Sequence, residues 1–393
     1  MTKSVAVTGM GILSSIGRNV EENHSALVQG KHGLSNPEIL DTNHRNLPIG
    51  EIKSSNNDLA EMLNLDKNHV FTRAALLGTL ALKEAVKASG INDFTNIGFV
   101  NGTSVGGMDM TERFYRDYEK DGTNLRFIQA QHPGFTTEQI ANYFGIDAYV
   151  TTISTACSSA ANAIMMGARL IRSGRLDKVI VGGTDCLSRF TLNGFNSLKI
   201  YSEDFPKPFD KDRQGLNLGE AAAYLVLESA ASVQNKEILG YVSGYGNAND
   251  AFHQTASSEN GEGAYLAMQK ALKTANLNPH HIEYINAHGT ATLNNDLSES
   301  RALIRTFKEM PAFSSTKSFT GHTLAAAGAI EAVFSLLAIK NQEIYPNLNF
   351  ESQIEDSKLE PVTQLKTANI EHVLSNSFGF GGNCTSLIFS KNG

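Results

Sequence analysis

Four residues of this 393-residue chain sit where chemistry could be done: one cysteine, two histidines and one lysine, each in a turn of small residues. Cys157 lies in 154-STACSSAANAIMMGARL-170, after a β-branched run and before Ala, Met and Leu residues that favour helix. A cysteine at a helix N-terminus meets the positive end of the macrodipole and free backbone N–H groups, and both favour the nucleophilic thiolate. The small neighbours predict close packing and a buried helix. The competing fate is common: most free cysteines are inert core residues. This stretch alone leaves the two readings level.

The other turns shift the balance. In 286-NAHGTAT-292, His288 follows a strand-like run, so its imidazole can project from a strand end. In 316-TKSFTGHTLAAAG-328, Lys317 and His322 share a glycine-containing turn before a helix. A lone histidine is more often a satisfied core or surface residue than a catalyst. These two, however, occupy strand-to-turn positions, where α/β proteins place their sites. His24, His32, His44, His280 and His281 lie in polar runs and read as surface. A fourth piece is 376-NSFGFGGNC-384, where Gly379, Gly381 and Gly382 flank Phe380. It reads as a tight turn between strands, or as a movable aromatic gate on an apolar tunnel whose backbone approaches a ligand closely.

Elements that could position these turns repeat along the chain. Residues 84-EAVKASGINDFTNIGFVNGTS-104 run from helix through an Asn-containing loop into a buried strand and a polar turn, and 270-KALKTANLNPHHIEYINAHGT-290 do the same. Downstream, VTTIS leads through TACSS into a small-residue helix, and AFSST leads through KSFTGH into LAAAGAIEAVFSLLAI. Alternating helices and strands predict an α/β protein of two duplicated halves, 1–237 carrying the cysteine and 238–393 carrying both histidines and the glycine-rich loop. The run TGMGILSSIG after the first strand resembles a dinucleotide fingerprint, but its third glycine is at 17 instead of 14, and it is assigned to structure.

Composition narrows the rest. A net charge of −7 with no dense basic run argues against a nucleic-acid binder. Cys157, Cys186 and Cys384 are too scattered for a disulfide framework or a Cys/His metal site. The segment 324-LAAAGAIEAVFSLLAI-339 is interrupted by Glu331 and reads as too short to span a bilayer. With no signal-peptide pattern, a cytoplasmic protein is expected.

Taken in order, VAVTGMG, TACSSAANAI, PFDKDRQGLNLGE, NAHGTAT, SSTKSFTGH and NSFGFGG resemble the β-ketoacyl-acyl-carrier-protein synthases, the elongating condensing enzymes of the thiolase superfamily. The resemblance runs nearly end to end. It implies a five-layer αβαβα sandwich, dimeric, with no metal or diffusible cofactor, the phosphopantetheine arriving on an acyl-carrier protein. It implies that Cys157 is acylated, that the N–H groups of Cys157 and Phe380 form an oxyanion hole, and that His288 and His322 stabilise the enolate formed when malonyl thioester loses CO2. Lys317 matches a positive charge supporting the histidines, and Glu299 a carboxylate behind them. Thr290 and Thr292 match pantetheine-holding hydroxyls, and Val105 and Phe195 match the acyl pocket.

Departures from the family pattern gather near the pocket: Leu293 and Asn295 where Pro and Gly are usual, and Asn383–Cys384 where the loop usually continues Thr-Asn. They leave open a catalytic ketosynthase of a polyene or polyketide pathway, paired with a chain-length-factor-like subunit instead of a second copy. A degradative thiolase would use a second cysteine, for which Cys384 is placed, but such enzymes lack the Lys317/His322 motif. An initiating synthase with a Cys–His–Asn set also fits poorly, and a non-catalytic subunit would lack the cysteine. Lys67, Arg126 and Lys199 are the candidates for docking an acidic carrier.

Overall fold

The computed structural model describes residues 3–66 and 68–393. Lys67 therefore lies outside the described residues. Ten strands form one mixed sheet: β1 (Val5–Ser14), β2 (Gly98–Gly102), β3 (Tyr149–Ile153), β4 (Lys178–Asp185), β5 (Ala221–Ser229), β6 (Gly240–Asn249), β7 (Tyr284–Asn286), β8 (Ala312–Ser314), β11 (His372–Phe378) and β12 (Asn383–Ser390). Two short strands, β9 (Glu343–Ile344) and β10 (Lys366–Thr367), pair separately.

The sheet order is β3-β2-β4-β5-β1-β6-β12-β11-β7-β8. Outward from the centre, β1-β5-β4-β2-β3 matches β6-β12-β11-β7-β8. The pairing sense matches too: antiparallel, antiparallel, parallel, parallel on each side. Among the described residues, only Ala6↔Tyr241 and Val7↔Gly240 join the halves through the sheet. The duplication read from the sequence is thus present strand by strand.

Helix Arg73–Ser89 covers β1 and β5 on one outside, and helix Glu262–Ala275 covers β6 and β12 on the other. Between the two halves of this sheet, helices Ser159–Arg172 and Ala327–Asn341 pack against each other and against strands of both halves. That gives five layers, a thiolase-type αβαβα sandwich. The glycines of TGMG have a mechanical role here. A Cβ on Gly11 would stand 2.1 Å from the Ala81 carbonyl oxygen, and one on Gly246 in β6 would stand 2.1 Å from that of Ala267. Each half needs bare backbone where its outer helix crosses its central strand.

One sequence expectation needs correcting. The segment Leu324–Asn341 is 18 residues and apolar enough to cross a bilayer, so length does not exclude it. Its environment does, because 89% of that window is buried inside the protein. A helix that is apolar all round belongs in a core of this kind.

Candidate active site

The strand that delivers the cysteine ends abruptly. After β3 the chain makes a tight turn in which Ala156 adopts φ +51°, unusual for a residue with a side chain, and Thr155 bridges to Cys157. Helix Ser159–Arg172 starts only two residues later, with Ser158 as its cap. The turn holds Cys157 outward into a cavity of about 210 Å³, lined among others by His288, His322, Thr290, Thr292, Phe195, Phe380 and Cys384.

β7 and β8 deliver the remaining groups. His288 follows β7 by two residues, and Lys317 follows β8 by three at the start of the short helix Lys317–Thr320 that leads to His322. His322 Nε2 lies 2.9 Å from Cys157 Sγ. The two imidazoles stand edge to face, centroids 5.5 Å apart. Lys317 Nζ donates to the His288 carbonyl at 2.6 Å and to Glu331 Oε1 at 2.5 Å, and sits 3.3 Å from His288 Nδ1. Because an ammonium only donates, His288 Nδ1 must accept, which leaves Nε2–H facing the cavity. His322 Nδ1, by contrast, is buried with no hydrogen-bond partner.

Carboxylates hold the loop from behind. Glu299, on helix Leu293–Thr306, accepts the backbone N–H of His288 at 2.9 Å and of Gly289 at 2.8 Å. Burial pushes its pKa up to about 7 against the pull of those donors. Asp296, on the same helix, accepts the N–H groups of Thr290, Ala291 and Phe209.

Electrostatics overturn one expectation. Cys157 is not poised as a thiolate: burial pushes its pKa up to about 12, and the Lys317 charge and the Phe380 N–H lower it only in part. Desolvation outweighs the helix end because the sulfur is sealed from water and the helix begins beyond it. Both histidines are held well below the ordinary imidazole range by burial and by the nearby Lys317 charge. The site rests as a neutral thiol against a neutral imidazole.

The glycine-rich loop is a turn between β11 and β12, and it also reaches the site. The Phe380 N–H points at the Cys157 sulfur, and the Phe380 ring stacks on Phe195 at 5.7 Å with 17° between planes. The loop is closed. Val105 is the one pocket residue that does not line this cavity; it packs with Phe195, Leu192 and Leu216 in a small apolar cluster behind it. Of the docking candidates, Lys199 is exposed at the cavity wall, whereas Arg126 lies elsewhere, stacked over Phe127 at 4.7 Å. All three cysteines are free and buried. Among the described residues, no cluster of three His, Cys, Asp or Glu is arranged to hold a metal.

Models of the β-ketoacyl synthase N-terminal and C-terminal domains match residues 2–232 and 239–351. The chain belongs to the β-ketoacyl synthase family. It is 34% identical over 413 residues to 3-oxoacyl-[acyl-carrier-protein] synthase 2 of Staphylococcus aureus, covering 99% of this chain and 98% of that one. The Vibrio cholerae enzyme of the same name is 32% identical, with 99% of both covered. Among solved structures, a chain of the ishigamide ketosynthase/chain length factor superposes with a TM-score of 0.94 at 29% identity over the whole of both chains. A chain of the complex of ketosynthase ApeO with its chain length factor ApeC, from Xenorhabdus doucetiae, gives 0.86 at 32% identity, covering 99% of this chain and 98% of that one.

Within this β-ketoacyl synthase, three polar positions escaped the sequence reading. Glu331 was visible only as an interruption in an apolar helix; its partner Lys317 lies 14 residues away across a turn. Asp296 gave no signal beyond its place in the run TLNND. Asn383 was noted only as a departure, yet its side-chain oxygen draws Ser158, Asn162 and Asn247 together.

Proposed function

We propose that the chain is a 3-oxoacyl-[acyl-carrier-protein] synthase that condenses an acyl group held on Cys157 with malonyl-acyl-carrier protein, releasing CO2 and a 3-oxoacyl chain two carbons longer. The observation that carries this reading is the 2.9 Å contact between Cys157 Sγ and His322 Nε2, with His288 Nε2–H facing the same cavity.

The chemistry follows from that geometry. As Sγ attacks the acyl thioester, its proton passes to His322 Nε2; a neutral thiol needs a neutral base within reach. The developing oxyanion meets the N–H groups of Cys157 and Phe380. His322 returns the proton to the departing pantetheine thiolate. Malonyl thioester then loses CO2, and the enolate oxygen accepts from Nε2–H of both histidines. Between the half-reactions, while the free pantetheine leaves and solvent reaches the cavity, His322 gives up its Nδ1 proton and takes one on Nε2; among the described residues no partner at Nδ1 holds either tautomer, whereas Lys317 fixes that of His288. The enolate carbon attacks the acyl carbonyl, and the Cys157 thiolate leaves and takes up one proton from solvent through His322, restoring the thiol. Thr290 and Thr292, 2.9 Å apart through their hydroxyls at the cavity wall, would hold the pantetheine arm. No diffusible cofactor enters these steps. Lys199 at the wall suits an acidic carrier, in the cytoplasm.

The test is an intact-mass spectrum after mixing with acyl-carrier protein bearing a short acyl thioester. Wild type gains the acyl mass and Cys157→Ala does not; no gain with any carrier-bound acyl group sinks the reading. A second reading, favoured by the 0.94 superposition on a chain of a ketosynthase/chain length factor structure, is that the chain is the catalytic subunit of a polyene or polyketide pair. A chain that dimerises and condenses alone argues for the first. One that condenses only after adding a related subunit argues for the second.

A further inference from the structure

One residue touches both the gate loop and the nucleophile turn. Asn383 accepts the Gly379 N–H on its backbone carbonyl at 2.8 Å, and with Gly382 N–H to the Gly379 carbonyl at 3.1 Å this closes the loop that carries Phe380. Its side-chain oxygen lies 2.8 Å from Ser158 Oγ, 2.8 Å from Asn162 Nδ2 and 2.9 Å from Asn247 Nδ2. Ser158 directly follows Cys157. Asn162 stands in the first turn of the helix behind it and also donates to Thr155 Oγ1 at 2.9 Å. Asn247 belongs to β6, in the other half of the molecule.

We infer that Asn383 is a positioning residue: the fixed pivot on which the gate loop swings while Cys157 stays in register with His322. The inference rests on the acyl-transfer reading of the site. Phe380 stacks on Phe195, and Val105 packs with Phe195 behind the cavity, so an acyl chain that runs from Cys157 toward Val105 must displace the Phe380 ring and the loop that carries it. The loop springs from the same residue whose side chain anchors the strained turn at Ala156 and Cys157. This amide oxygen has two lone pairs and four donors around it: the Asn162 and Asn247 amides, Ser158 Oγ, whose one proton also faces the Thr155 carbonyl at 2.8 Å, and Thr385 Oγ1 at 3.4 Å, so an apolar side chain here would leave donors short of an acceptor. Without that anchor, opening the gate would drag the nucleophile turn, and small displacements at a reacting sulfur carry large rate penalties.

Asn383→Leu keeps the size and removes the acceptor. Its turnover with carrier-bound substrates is expected to fall roughly 10-fold to 100-fold with KM little changed, while alkylation of Cys157 by iodoacetamide speeds up because the gate is released. Asn383→Asp, which keeps an acceptor of the same reach, restores slow alkylation. A purely structural role predicts that both rates follow a lowered melting temperature. If Asn383→Leu does not fold, Ser158→Ala removes one of the same contacts from the other side. Alkylation that stays at the wild-type rate in Asn383→Leu or in Ser158→Ala overturns the inference. Because iodoacetamide needs no acyl donor, that outcome is distinct from failure of the condensing reading, which would show as wild-type protein that never gains an acyl group.

Discussion

Lys317 Nζ lies 3.3 Å from Nδ1 of His288, so one buried ammonium dictates which way that imidazole presents its proton. The same ammonium donates at 2.5 Å to Glu331, a buried carboxyl on the central helix whose pKa burial pushes up to about 7. The pair is nearly sealed from water, and the charge acts on both histidines with little screening.

Lys317→Met should move the acid limb of the acylation profile to higher pH. The sign follows from the cause: removing a positive neighbour favours the imidazolium, so His288 and His322 rise from well below the ordinary range toward it. A pH–rate series between about pH 5 and 8 reads this directly; an acid limb that does not move contradicts it.

The same substitution leaves Glu331 buried without a partner. Destabilisation of about 3–5 kcal/mol is expected. Adding Glu331→Leu should recover most of the stability in a denaturant titration while leaving activity low, which separates the ion pair's structural effect from its electrostatic one.

The Cys157 thiol should alkylate ever faster as pH rises, with no plateau near the ordinary thiol value of about 8.5. Burial favours the neutral form and holds the pKa at about 12. Iodoacetamide rates measured up to about pH 10 test this, and a plateau near 8.5 would mean the thiol is not desolvated as described.

Phe195→Ala removes the ring on which Phe380 rests. The stack should contribute roughly 0.5–1.5 kcal/mol beyond its buried area. Its loss is expected to raise the Cys157 alkylation rate several-fold and broaden the range of acyl lengths accepted, read by intact mass across a series of acyl donors. Unchanged access would show that another group closes the cavity.

Gly246→Ala forces a Cβ to 2.1 Å from the Ala267 carbonyl oxygen. Overpacking there should destabilise by about 1–3 kcal/mol or more. Gly194→Ala, at an open helical site with nothing within 4 Å, should be neutral or slightly stabilising. Thermal melts of the two variants compare them.

Much of this was legible in the residues. The two echoes along the chain became matching strand series because helix–loop–strand units keep their hydrophobic period after duplication. The turns singled out as chemical, at Cys157, His288, Lys317, His322 and Phe380, converge on one cavity or stand directly behind it. Local small-residue runs and glycines announce such turns because the backbone conformation itself is local.

Partnership and charge state were not legible. Asn383 meets Ser158 only when strands far apart in sequence become neighbours, and Glu331 meets Lys317, 14 residues away, only when two helices pack; Glu299 was marked by the family resemblance alone. The thiolate expectation failed for the same reason. Helix position is written in nearby residues, but the solvent exclusion that holds Cys157 neutral is the sum of everything packed around it. The sequence by itself determined the duplicated α/β scaffold and the residues brought together at the site, because periodicity and turn chemistry are local. Only the tertiary structure decided their hydrogen-bond partners, their protonation and the stacking of Phe380 on Phe195, because desolvation and long-range contacts exist only once the chain is packed.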